Sequence, residues 1–105
     1  MINLTTAKKL DKLNLPIIQQ VMMDKNDNYY PNPTIEELLE LLPVCVTTEH
    51  SKRDCYLEIS RGRSGWYSVA YIDCYGSYFF KEVIHKNLAE ALARLLIKLT
   101  EKGLI

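Results

Sequence analysis

Apolar residues fall along this chain in two rhythms, and the change between them divides it. Over PNPTIEELLELLP they recur at helical spacing, with Ile35, Leu38, Leu39 and Leu42 on one stripe. Thr34 stands where an N-cap belongs and Glu37 follows three residues on, so each side chain can take up a backbone N–H that the helix leaves unpaired. Pro43 stops this helix, having no N–H to donate. From Val44 the rhythm shortens to two. VCVTTE, CYLEISR, WYSVAYID and YFFKEVI are rich in β-branched and aromatic residues, as strands are. Arg61-Gly62-Arg63-Ser64-Gly65 and Cys74-Tyr75-Gly76-Ser77 separate the last three as hairpin loops do. Alternation puts Leu57, Ile59 and Arg61 on one face of their strand. It puts Tyr67, Val69 and Tyr71 on one face of the next, opposite Trp66, Ser68, Ala70 and Ile72.

The helical rhythm returns in KNLAEALARLLIKLTEKGLI. Asn87 and Glu90 form a second capping signature, and Gly103 sits where a helix ends in the left-handed conformation. At 100° per residue Asn87, Glu90, Arg94, Lys98 and Glu101 share one arc of about 80°. Leu88, Ala89, Ala91, Leu92, Ala93, Leu95, Leu96, Ile97 and Leu99 fill most of the rest. A helix with one flat neighbour needs an apolar arc of little more than about 100°. This helix therefore needs cover on two sides, from the sheet and from either the Thr34–Leu42 helix or a second copy of the chain. Near the start, Thr5 or Thr6 can cap a short helix through Leu13, which Pro16 ends. Residues 19–30 admit a helix or a hairpin, and the turn chemistry of Asp24-Lys25-Asn26-Asp27 favours the hairpin. The expectation is a single α+β domain over residues 1–105. It has one or two short N-terminal helices, an antiparallel meander of three or four strands, and a long C-terminal helix packed on one face of it.

Composition narrows the class. The chain of 105 residues is 48% hydrophobic and 25% charged, a globular rather than disordered mix. Thirteen Lys and Arg balance thirteen Asp and Glu, which argues against a dedicated polyanion binder. The balance hides a tilt: residues 1–50 carry four cations against seven carboxylates, residues 51–105 nine against six. Lys8, Lys9, Asp11 and Lys12 interrupt the opening segment where a signal peptide needs an apolar run, and no run approaches a membrane span. Cys45, Cys55 and Cys74 form no disulfide framework. A cytoplasmic protein is expected.

Candidate chemistry is sparse. Cys45, His50 and Cys55 lack the tight pairs of a metal site, and no local signature marks a Cys–His nucleophile. No metal, cofactor or catalytic residue is expected. His85 reads as part of a strand-to-helix turn. The more informative grouping is Lys52, Arg53, Arg61 and Arg63 beside Tyr56, Trp66, Tyr67, Tyr71, Tyr75 and Tyr78. Basic loops beside an aromatic sheet can bind nucleic acid, with cations on phosphates and rings under bases. The same residues suit a protein interface if Trp66, Tyr67, Tyr71, Arg61 and Arg63 lie on a sheet face the helices leave open. The protein interface, with self-association as one form, is the first expectation, and nucleic-acid contact through Lys52, Arg53, Arg61 and Arg63 is the alternative.

PTIEELLELLP, then WYSVAYI, then NLAEALARLLIKLTEKGLI, resembles small proteins of unassigned role encoded by bacteriophages and prophages. KKLDKLNLP is similar to their opening segment, except that Asn14 stands where such a segment would carry glycine. The resemblance implies expression in a bacterial cytoplasm and supplies no catalytic residues.

Overall fold

A computed structural model describes residues 1–15, 20–47, 53–78 and 81–104. Their elements run α1 (Leu4–Asp11), β1 (Val21–Met23), β2 (Tyr29–Pro31), α2 (Ile35–Leu41), β3 (Cys45–Thr47), β4 (Asp54–Arg61), β5 (Tyr67–Ile72), β6 (Val83–His85) and α3 (Leu88–Glu101). The expected α+β architecture is present. Strands β3 to β6 form one antiparallel sheet in chain order, and β1 pairs with β2 in a separate hairpin. That hairpin settles residues 20–31: the Asp24 carboxylate accepts the backbone N–H groups of Asn26 and Asn28, and Asp27 takes a positive φ of 64°. The fourth meander strand starts later than the sequence pattern suggests. Tyr78 makes an isolated bridge to Ile72, and β6 begins at Val83.

The register decides which sheet face is covered. Leu57 lies opposite Tyr71, Ile59 opposite Val69, and Val69 opposite Val83. On this face Cys55, Val69, Tyr71 and Val83 are buried against α3. Along α3, Ala91, Leu92, Ala93, Leu95, Leu96 and Leu99 are fully buried. Burying each leucine contributes about 1.5–3 kcal/mol, so α3 supplies much of the core. Its apolar arc meets β5 and β6 on one side, and α1 and α2 on the others. One chain therefore covers the whole arc. Of the two expected second neighbours of α3, the Thr34–Leu42 helix is the one present, with α1 beside it, so no second copy is needed to cover the arc.

Of the two capped helix starts, α2 follows its sequence signature and α3 departs from it. At α2 the capping box is complete, with Thr34 Oγ1 accepting the Glu37 N–H and the Glu37 carboxylate accepting the Thr34 N–H. At α3 Asn87 accepts the Glu90 N–H, but the Asn87 N–H goes instead to Nδ1 of His85. The Glu90 carboxylate does not reach back to Asn87 and is buried at 1% exposure. It accepts the backbone N–H of Asn3 at 2.7 Å, the Thr6 hydroxyl at 2.5 Å and Nε of Arg94 at 2.6 Å. Thr6 is thus a buried tie between α1 and α3 rather than a cap. Asn3 caps α1 by accepting the Thr6 N–H. After α1, Asn14 holds a positive φ of 50°, the conformation glycine supplies most cheaply and asparagine tolerates.

Burial alone would push the Glu90 carboxyl up, but hydrogen bonds from Thr6, Asn3 and Arg94 outweigh it and hold the group below its ordinary 4.5. The folded state therefore gains stability from ionised Glu90 above that value and loses it as pH falls through the lowered folded one. Glu90→Gln should cost about 2–3 kcal/mol at neutral pH, from charge-assisted hydrogen bonds lost in a buried site. In urea unfolding from pH 7 down to 3, the gap between variant and wild type should narrow below 4.5. A gap that stays constant with pH would remove this account of Glu90. Tyr71→Phe should cost about 1 kcal/mol, because the Tyr71 hydroxyl donates to the Pro43 carbonyl at 2.6 Å and so ties β5 to the end of α2. Thermal unfolding of this variant measures that tie.

Candidate functional site

An antiparallel meander brings alternate strand ends together. The C-terminal end of β4, the N-terminal end of β5 and the C-terminal end of β6 meet at one end of the sheet, where Arg61 lies opposite Tyr67 and Tyr67 opposite His85. The connecting turn from Gly62 to Trp66 is closed by the Gly62 N–H donating to the Trp66 carbonyl at 2.9 Å, and Gly65 takes a φ of 83° that a side chain would strain.

Ring and cation contacts knit this end. The Arg61 guanidinium carbon sits 5.3 Å from the centre of the Tyr67 ring, and Nζ of Lys86 sits 5.2 Å from that of Trp66. His85 meets Trp66 edge-on with ring centres 6.5 Å apart. Such cation–ring pairs contribute about 0.5–1 kcal/mol each where exposed. Trp66 keeps 40% of its surface accessible, and Arg63 is exposed at the turn. The α3 N-terminus follows immediately. Nδ1 of His85 accepts the Asn87 N–H, and the Asn87 side chain donates to the Met1 carbonyl at 2.9 Å.

Four of the five residues expected on an interaction surface, Trp66, Tyr67, Arg61 and Arg63, lie at this end. Tyr71 does not. It is 1% exposed, on the face that the helices cover, so its place on an open surface is corrected. Alternation fixes which residues share a face but not which face a helix takes. The opposite face carried that signal: Glu58 and Ser60 on β4 and Ser68 on β5 are polar residues suited to water, with Ala70 buried among them. The tyrosines exposed on the open face are Tyr56 and Tyr78, each opposite Ile72. His85 and Lys86 belong to the cluster and were missed, because only the β5–β6 register places them beside Trp66.

The expected basic group does not converge. Lys52 and His50 lie outside the described residues. Arg53 stands at the other end of β4 from Arg61, eight residues or about 26 Å away along an extended strand. There it pairs with Asp73 at 3.3 Å and covers the Tyr75 ring at 5.0 Å. Asp73 is ordered by its turn: its carboxylate accepts the Tyr75 and Ser77 N–H groups, which with Arg53 hold it below the usual carboxylate range despite burial. Burial pushes the Cys55 thiol up, away from nucleophilic character. Among the described residues no group of three His, Cys, Asp or Glu side chains could hold a metal ion, and no helix is long and apolar enough to cross a membrane. Comparison with protein-family models, curated proteins and solved structures finds no match.

Trp66 is the one tryptophan of the chain, so its emission reports on this cluster. Lys86→Met and His85→Gln should each shift its emission maximum or intensity, whereas Arg53→Met at the far end should leave the spectrum unchanged. An equal response to all three would show that the contacts around Trp66 do not govern its environment.

Proposed function

We propose that this protein is a non-catalytic protein-interaction module that receives its partner on the sheet end formed by Arg61, Arg63, Trp66, Tyr67, His85 and Lys86. The carrying observation is the half-open Trp66 ring with Lys86 over it, on the sheet end where Arg61 covers Tyr67. Tryptophan, tyrosine and arginine are the residues that most often anchor protein interfaces. Arg61, Arg63 and Lys86 give this end a positive sign, so the partner segment is acidic. A bacterial cytoplasm during phage or prophage activity is the setting that the sequence resemblance implies. Nucleic-acid contact through Arg53 together with Arg61 and Arg63 is the less favoured reading. These cations occupy opposite sheet ends, and those over Tyr67 and Trp66 sit on ring faces that stacked bases would use.

The test pairs affinity capture from host lysate, quantified by mass spectrometry, with light scattering of the purified protein. A partner held by wild type and by Tyr56→Ala, but reduced more than tenfold by Trp66→Ala with Arg61→Glu, is the expected result. If wild type is dimeric and the double variant monomeric, the partner is a second copy. Equal capture by all variants from a monomeric protein overturns the reading.

A further inference from the structure

Helices α1 and α3 enclose a groove of about 420 Å³ whose polar lining includes Asn3, Thr5, Lys9, Arg94, Lys98 and Glu101. It runs on into a second hollow that shares Lys98 and Glu101 and adds Lys81 and Lys102. Five of the thirteen Lys and Arg of the chain line this surface, against the Glu101 carboxylate and the buried Glu90 beneath Arg94. Among the described residues that line it, cations outnumber carboxylates, on a chain whose total charge is zero. Arg94, Lys98 and Lys102 recur every fourth residue, one above the other along α3 at about 6 Å per step. Lys9 on α1 and Lys81 before β6 widen the stripe.

We infer that this groove binds the phosphate backbone of nucleic acid. Evenly repeated charge suits a polymer with one anion per unit, which a nucleic-acid backbone is and a mixed acidic peptide is not. Four of the five cations are lysines, compact point charges that meet phosphate without demanding a planar partner. Cations that meet phosphates position a protein on a nucleic acid without reading its sequence. Glu90 fixes the geometry. By accepting Nε of Arg94 at 2.6 Å and the Thr6 hydroxyl at 2.5 Å, it holds the two groove walls together. The groove is a separate surface from the Arg61–Lys86 end, and neither proposal depends on the other.

The probe is a fluorescently labelled duplex DNA of mixed sequence, followed by anisotropy over a salt series. Wild type should bind at low salt, indifferent to sequence, with log K falling against log salt at a slope of about −4, from about 0.9 per phosphate over four to five contacts. Lys9→Ala with Lys98→Ala should weaken binding at least tenfold and reduce the slope by about two. Lys81→Ala, on a loop outside both helices, should reduce it by about one. Arg61→Ala with Arg63→Ala should change neither. Absence of binding at low salt overturns the inference. So does loss of binding with the Arg61 and Arg63 pair in place of the groove lysines, or displacement of the duplex by polyglutamate at equal charge.

Discussion

The buried carboxylate of Glu90 is the constraint on which the arrangement of the helices depends. Taking an ionised group out of water costs several kcal/mol, and only a full set of donors offsets it. Here the set comes from three places: the backbone before α1, a side chain within α1, and a turn of α3 that reaches solvent. An isolated helix as short as Leu4–Asp11 is not stable in water. It persists because Ala7 and Leu10 are buried and because Glu90 takes one donor from its N-cap and one from its first turn. Asn3 closes the loop, capping α1 with its side chain while its backbone N–H satisfies Glu90. Displacing α1 would leave the carboxylate with Arg94 as its remaining partner among these three.

That tie propagates into the sheet. With α1 and α2 held against it, α3 can bury nearly its whole circumference, and its remaining side presses on Val69, Tyr71 and Val83. The β6–α3 junction is fixed in turn. The Asn87 N–H, which a capping-box glutamate would have taken, is satisfied by His85 because Glu90 is engaged elsewhere. His85 is thereby oriented with its ring edge on Trp66. The geometry at the sheet end follows, through one displaced hydrogen bond, from a carboxylate at the helix interface.

The architecture was legible because it rests on periodicity and local capping. The Thr34–Glu37 box, the helical end at Gly103 and the strand alternation all depend on neighbours within a few residues, and all appear in the structure. Reading failed where a long-range partner decided. Glu90 sat on the polar arc of an ideal helix, and nothing within four residues revealed that Thr6 and Asn3 would enclose it. Tyr71 shared its face with Tyr67 and Val69 as expected, yet the choice of covered face came from packing against α3. Arg53 and Arg61 looked adjacent among basic residues in sequence, but a strand sets them at its two ends. The site was legible as residues and not as an assembly: Arg61, Trp66 and Tyr67 came from the turn, and His85 and Lys86 came only with strand pairing.

Charge shows the same separation of scales. A chain with equal numbers of cations and carboxylates has no long-range field to speak of, and from composition alone it looks indifferent to anions. At the distances over which charges act in physiological salt, about 8 Å, the total matters less than the arrangement. Helix α3 makes that arrangement. Its start follows directly on Lys86, while its exposed edge lines up Arg94, Lys98 and Lys102. Several carboxylates are held elsewhere: Glu36, Glu37 and Glu40 on α2, and Asp24 and Asp27 at the hairpin turn. One helix thereby separates two positive surfaces on a neutral molecule, and the tie at Glu90 keeps it in place.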